Sequence, residues 1–228
     1  PGASVRARHG IDPDEVLFVA FGVVTAEKRI TQALEALPAV LRHQPRARLL
    51  LVGEPKSHFD ARTEIRARGL TDRVVATGFV PQAELPAYLD AADVCLCMRW
   101  PSTRETSASW LRCLAAAKPT IVTDLVHTVD VPSVDARTWE VLHASVDPWG
   151  AGSRGVTAEP ICVSVDILDE DHSLRLAMRR LAVDPDLRHR LGRAARVFWA
   201  GGHRLSQMTA GYLDAIDVAL GRPLPALD

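Results

Sequence analysis

Residues 16–43 read VLFVAFGVVTAEKRITQALEALPAVLRH, and this stretch decides the fold. Six apolar residues in a row, VLFVAF at 16–21, mark a strand covered on both faces, because a half-exposed strand would alternate with polar residues. Gly22 ends the run. Ile30, Ala33, Leu34, Leu37, Val40 and Leu41 then recur at helical spacing and predict an amphipathic helix over 29–43. The same alternation continues along the chain. LLLV at 49–52, closed by Gly53, predicts a second strand, and a short helix at 59–68 is closed by Gly69. A strand at 74–77, a helix at 84–92, a strand at 94–98 (VCLCM), a helix at 107–117 and a strand at 120–123 (TIVT) follow. Links this short demand right-handed crossovers. The expected fold class is α/β, a Rossmann-like doubly wound parallel sheet with helices on both faces.

The second half reads differently. Residues 125–160 are rich in Pro, Gly, Asp and Ser and predict long loops with a short strand near 140–143. A strand at 161–165 leads into three helices, 173–182, 185–199 and 205–220, which form a C-terminal helical tail. Asp184 before Pro185 supplies an N-cap followed by proline at the first helical position. A single domain is expected over 1–228, with its core at about 14–183 and its C-terminal helices at about 185–220.

Composition narrows the function. The 228 residues carry Lys+Arg 27 against Asp+Glu 28, a formal net charge of -1. That balance lacks the basic excess a nucleic-acid partner would require. At 47% hydrophobic and 24% charged, the chain is neither disordered nor fibrous. No apolar run approaches the roughly 20 residues that span a bilayer. Residues 1–9 hold arginines but no apolar core, so a secretory leader is not expected. Cys95, Cys97, Cys113 and Cys162 sit in apolar stretches without metal-ligand spacing. They read as buried reduced thiols, and with the missing leader they point to the cytoplasm.

Doubly wound sheets hold ligands outside the carboxyl ends of their strands, so the loops after Phe21, Val52, Thr77 and Met98 carry the chemistry. GAGSRG at 150–155 matches the dinucleotide pattern G-x-G-x-x-G, but no strand enters it and no helix leaves it, so it reads as a surface loop. RWPSTRETSA at 99–108 is the stronger site, since it opens a helix whose first amides and dipole suit a phosphate. Thr106, Ser107 and Ala108 are small enough for a ligand to approach that backbone, and Glu105 can accept hydrogen bonds from sugar hydroxyls. Plain helix capping accounts for the same residues equally well. Lys28 and Arg29 stand at the start of the helix after the first strand, where the dipole disfavours cations unless an anion is bound. The alternative is two solvated surface cations.

These residues, in this order, resemble the family 4 (group 1) glycosyltransferases. The resemblance rests on Phe21-Gly22 with Glu27-Lys28-Arg29, residues 50–53, Gly78-Phe79-Val80, Asp93-Val94, Pro101 with Glu105, and Ala115 with Lys118-Pro119. The 184–196 stretch DPDLRHRLGRAAR adds the family's C-terminal helical pattern. The resemblance is to one half of the two-domain GT-B architecture, the C-terminal half that binds the donor. It implies that this chain binds a nucleotide-diphospho-sugar for a retaining sugar transfer, without a metal or other cofactor, and is inactive by itself. The N-terminal acceptor-binding domain is expected to be absent from the sequence, and any peripheral membrane contact is expected only through that domain. Self-association through the face left uncovered is a further expectation. Residue by residue, Lys28 would neutralise the diphosphate with the amides at Thr106, Ser107 and Ala108. Glu105 would hold the transferred sugar as first acid of the E-x7-E motif. Gly22 would line the diphosphate loop, and Phe79 and Val80 would lie beside the nucleobase. Arg29 and Arg99 are additional candidates for the diphosphate, as is Arg104.

Two positions depart from the family pattern. Val23 stands where the family has Arg, and the second acid of E-x7-E falls on Cys113 counted forward from Glu105 or on Arg112 counted back from Lys118-Pro119. A guanidinium at Arg112 can donate to ribose hydroxyls or lie free on the helix surface. These departures motivate the alternative of a non-catalytic glycan- or nucleotide-binding module with a degenerate donor site.

Overall fold

The computed structural model describes residues 1–56, 58–102, 107–142 and 159–221. In chain order they form α1 (Gly2–Arg8), β1 (Val16–Phe21), α2 (Ile30–Leu41), β2 (Ala47–Val52), α3 (Ala61–Ala67), β3 (Val74–Ala76), α4 (Leu85–Ala91), β4 (Val94–Leu96) and α5 (Ala108–Ala115). There follow β5 (Thr120–Asp124), β6 (Ser133–Asp135), β7 (Val141–Leu142), β8 (Cys162–Asp166), α6 (Glu170–Val183), α7 (Pro185–Gly202) and α8 (Leu205–Gly221). The strands make one sheet in the order β3-β2-β1-β4-β5-β8-β6-β7. All neighbouring pairs are parallel except β6 with β7. This is the Rossmann-like α/β fold with a helical C-terminal region that the buried runs predict.

The apolar run of β1 is buried along its whole length. Val16, Phe18 and Ala20 pack with Ile30, Leu34 and Leu37 of α2 and with Leu174 and Met178 of α6. The alternate residues Leu17, Val19 and Phe21 pack with Val5 of α1, Tyr88 of α4 and Cys113 of α5. Helices therefore cover both faces, which is why the strand carries no polar alternation. α7 ties the layers together: Leu187 and Leu191 join the α2–α6 cluster, while Ala195 packs with Leu114 of α5.

The chain winds outward from β1 through β2 to β3, then returns to the other side of β1 to lay down β4. Winding direction reverses between β1 and β4, and the carboxyl ends of those two strands flank the crevice. Two elements, α1 and β6, have no counterpart in the sequence reading. α1 is held chiefly by polar contacts: the Arg6 guanidinium donates to the carbonyls of Ala91 and Glu15 and pairs with Asp93 at 2.7 Å. The expected strand near 140–143 is β7, and it extends the sheet antiparallel to β6. The 150–155 stretch and Arg104, Glu105 and Thr106 lie outside the described residues. Among the described residues no helix is long and apolar enough to cross a membrane.

Candidate functional site

The loops after β1 and β2 are stitched together by backbone bonds. The Gly22 amide donates to the Val52 carbonyl at 2.9 Å, the Val24 amide to that of Glu54 at 2.9 Å, and the Lys56 amide back to that of Val24 at 3.1 Å. Gly22 and Gly53 have φ of +96° and +151°, and their backbones touch. A Cβ on Gly53 would stand 2.1 Å from the Gly22 carbonyl oxygen, and one on Gly22 would stand 2.9 Å from Lys28 Nζ. The missing side chains thus make room for Lys28 to fold back over the loop from the 3-10 turn at Ala26–Lys28. Its ammonium donates to the Phe21 carbonyl at 2.6 Å. Burial lowers its pKa below the ordinary lysine value, because a charge deprived of water favours the neutral form.

Opposite Lys28 stands the N-terminus of α5. Ser107 caps it, its hydroxyl accepting from the Trp110 amide at 3.3 Å and sharing a hydrogen bond with Ser109 at 3.1 Å. The first-turn amides of a helix lack intrahelical acceptors and carry partial positive charge. Arg99 follows β4, anchored by its own amide to the Thr123 hydroxyl at 3.1 Å. The next amide, of Trp100, donates to the Glu27 carbonyl at 2.7 Å and so joins the β4 loop to the turn that carries Lys28. The Glu27 carboxylate is held below its usual pKa by hydrogen bonds from its own amide and the Thr25 hydroxyl, with His58 and Arg99 adding attraction.

These parts enclose one cleft of about 830 Å³. Of the residues singled out from the sequence, Gly22, Lys28, Phe79, Val80, Arg99, Ser107, Ala108 and Arg112 all line it. Arg29 does not. It adopts a left-handed conformation with φ 56° and turns away to grip Glu170 of α6 with Nε and an Nη, Nε at 2.8 and 3.0 Å from the two carboxylate oxygens. Its charge is already neutralised in the fold, so it is a structural ion pair and not a lining cation. Sequence reasoning missed Glu54, Lys56 and His58 of the β2 loop and Leu85 and Leu89 of α4, which also line it. The position of the β2 loop at a carboxyl strand end is the signal that marks the first three.

The lining cations Lys28, Lys56, Arg99 and Arg112 outnumber the carboxylates Glu27 and Glu54, so the cleft favours an anion. Phe79, 72% exposed, presents an aromatic face at its margin. Among the described residues no three His, Cys, Asp or Glu side chains converge as a bound metal ion would require.

Comparison with known proteins agrees with this fold. Alpha-D-kanosaminyltransferase of Streptomyces kanamyceticus is 26% identical over 205 residues, covering 90% of this chain but only 46% of that protein. The C-terminal domain of a glycosyl transferase group 1 family protein (LpcC) from Francisella tularensis superposes with a TM-score of 0.63 at 17% identity, covering 90% of this chain and 94% of that one. HepE of Anabaena, solved in complex with UDP, superposes with a TM-score of 0.69 at 13% identity over 95% of this chain and 52% of its own. The chain therefore spans about half the length of the full-length proteins it resembles. The family described as "Glycosyl transferases group 1" matches residues 14–145, and the chain belongs to that family.

Proposed function

We propose that the cleft binds a nucleoside-diphosphate sugar, and that the chain, residues 1–228, is the donor-binding half of a retaining glycosyltransferase. The observation that carries this reading is the convergence of two independent anion-holding devices, the Lys28 ammonium and the α5 N-terminus, on one cleft at the β1/β4 reversal. Its volume suits a ligand of nucleotide-sugar size. Lys28, Arg99 and the amides at Ser107 and Ala108 offset the charge that grows on the diphosphate as the glycosyl bond breaks. Phe79 and Val80 border the base, and an exposed ring stacks on any base. Glu105, outside the described residues, is assigned the transferred sugar. Arg112 donates to the ribose hydroxyls from the position of the missing acid. The UDP bound by HepE supports the choice of nucleotide class. The other half of the relatives' length is assigned the acceptor.

Calorimetry with UDP, GDP, TDP and ADP tests the reading. One of them binds, and Lys28→Ala weakens it about tenfold or more, since a charge-assisted hydrogen bond contributes about 1.5–3 kcal/mol. If none binds, the donor-site reading fails and the non-catalytic glycan-binding module takes its place.

A further inference from the structure

Beneath the first turns of α5 the fold gathers thiols that the sugar-transfer chemistry does not use. Cys95 and Cys97 lie two residues apart on the extended β4 segment and so share a face. The Cys97 thiol donates to the Cys113 sulfur at 3.8 Å. Cys95 and Cys113 are fully buried, whereas Cys97 is half-buried and lines a second cavity of about 250 Å³ beside Arg99, Ser107 and Trp110. One sulfur of the pair is thus reachable by a small oxidant, and its neighbour is shielded at contact distance.

We propose that Cys97 and Cys113 form a peroxide-oxidisable dithiol, a modification site whose closure locks α5 to the end of β4. The Cys97 thiolate attacks one oxygen of hydrogen peroxide, the O–O bond breaks, and the hydroxide released takes up the thiol proton to leave as water. Cys97 is then a sulfenic acid. The Cys113 sulfur attacks the Cys97 sulfur, the S–O bond breaks, and the hydroxyl leaves with the Cys113 proton as a second water. Two thiols lose two hydrogens, and one peroxide becomes two waters. The order of events follows from position. Cys113 is shielded, and hydrogen bonds with Cys95 and Cys97 together with burial push its thiol pKa well up, so it resolves and does not attack first.

Closure brings the sulfurs from 3.8 Å to about 2.05 Å. Cys113 is rigidly joined to Ser107, Ala108 and Arg112, which line the main cleft, so the lock shifts the α5 groups away from their anion-binding positions. This consequence rests on the donor-site reading, whereas the bond itself does not.

The test treats the full chain with hydrogen peroxide, blocks remaining thiols by alkylation and maps the digested peptides by mass spectrometry. A Cys97–Cys113 linked peptide is expected, reversed by dithiothreitol and lost in Cys97→Ser and Cys113→Ser but kept in Cys95→Ser and Cys162→Ser. Alanine variants substitute if a serine variant fails to fold. UDP affinity falls about fivefold or more on oxidation, the low end of ordinary coupling between sites, and does not change with peroxide in Cys97→Ser. Over-oxidised Cys97 without a link, or a Cys95–Cys113 link, overturns the pairing. A Cys97–Cys113 link with unaltered UDP affinity overturns the lock. If the untreated chain binds no nucleotide, the donor-site reading has failed, and slower hydrogen exchange at the α5 amides on oxidation becomes the readout of the lock, unchanged exchange overturning it.

Discussion

Lys28 and Arg29 are neighbours in the chain with opposite tasks. Lys28 folds back over Gly22 into the cleft, while Arg29, left-handed at the end of a 3-10 turn, reaches Glu170 across 141 positions of sequence. Their mutants should separate the two roles. Arg29→Ala leaves Glu170, 8% exposed, without its cation. Breaking a buried pair by removing one partner costs about 3–5 kcal/mol, so urea unfolding should show a marked loss of stability while UDP affinity in the folded protein stays near wild type. Lys28→Ala should do the reverse, and a loss of UDP binding in Arg29→Ala as large as in Lys28→Ala would contradict the assignment. Lys28 also sets a pH dependence. In the proposed reading donor binding requires its protonated form, and burial places its pKa in the free protein below the usual value of about 10.4. UDP affinity should therefore fall as pH rises through that lowered value, earlier than an ordinary lysine would dictate. Titration calorimetry across the alkaline range checks this, and Lys28→Arg, whose guanidinium stays charged, should flatten the profile. Sequence alone grouped the two cations because adjacency was visible; which way each side chain turns depends on Arg29's φ and on a carboxylate that arrives with α6.

At the scale of elements, what was legible is what is locally coded. β1, β2 and β5 were read within a residue or so at each end from their apolar runs, apart from the first two residues of β2, because parallel strands buried on both faces cannot hide their pattern. α7 was placed at its first residue by Asp184 and Pro185. Its cap is also testable. The Asp184 carboxylate accepts from the Leu187 amide at 2.9 Å, and that bond holds its pKa below the ordinary carboxylate value. A depressed acid lends stability that is complete above its unfolded pKa of about 3.9 and is lost as pH falls through the lower folded value. Asp184→Ala should cost about 1 kcal/mol near neutrality. It should also make the acid limb of the unfolding curve shallower, as followed by circular dichroism at stepped pH; equal loss at every pH would show that the carboxylate charge is not what the helix uses. α1 and β6 escaped the reading for the opposite reason. α1 offers few apolar anchors and depends on Arg6 meeting Ala91 and Asp93, distant in sequence. β6 has three residues and gains its place by pairing with β8 on one side and β7 on the other. Of the cleft's missed lining residues, Glu54, Lys56 and His58 fall in the loop after β2, and Leu85 and Leu89 lie on α4, whose packing, not its pattern, turns them inward.

At the scale of the whole molecule, apolar side chains stay exposed at two places, on α8 and at the carboxyl ends of the strands. α8 is exposed along its entire length, and its Leu205, Met208, Tyr212, Leu213, Ile216 and Leu220 are apolar. Val23, Trp100, Val126 and Leu168, all exposed, stand at the carboxyl ends of β1, β4, β5 and β8, on the same edge of the sheet as the cleft. An isolated helix of this length is marginal in water, because nucleation is costly and packing supplies most helical stability in proteins. The free chain should therefore gain little from α8. Ending it after Gly202 should change Tm by less than about 2 °C, which for this size corresponds to under roughly 1 kcal/mol, and should leave UDP affinity unaltered, because no α8 residue lines the cleft. A larger drop in Tm measured by calorimetry would mean that α8 packs on this domain. The proposed donor-site reading bears on catalysis as well. In that reading the cleft holds the diphosphate leaving group, while the proposed acceptor half accounts for the remaining length of the relatives. The chain by itself should bind the donor and still transfer its sugar to no acceptor, with product followed by mass spectrometry. Steady transfer by these 228 residues alone would show that the acceptor site lies within them.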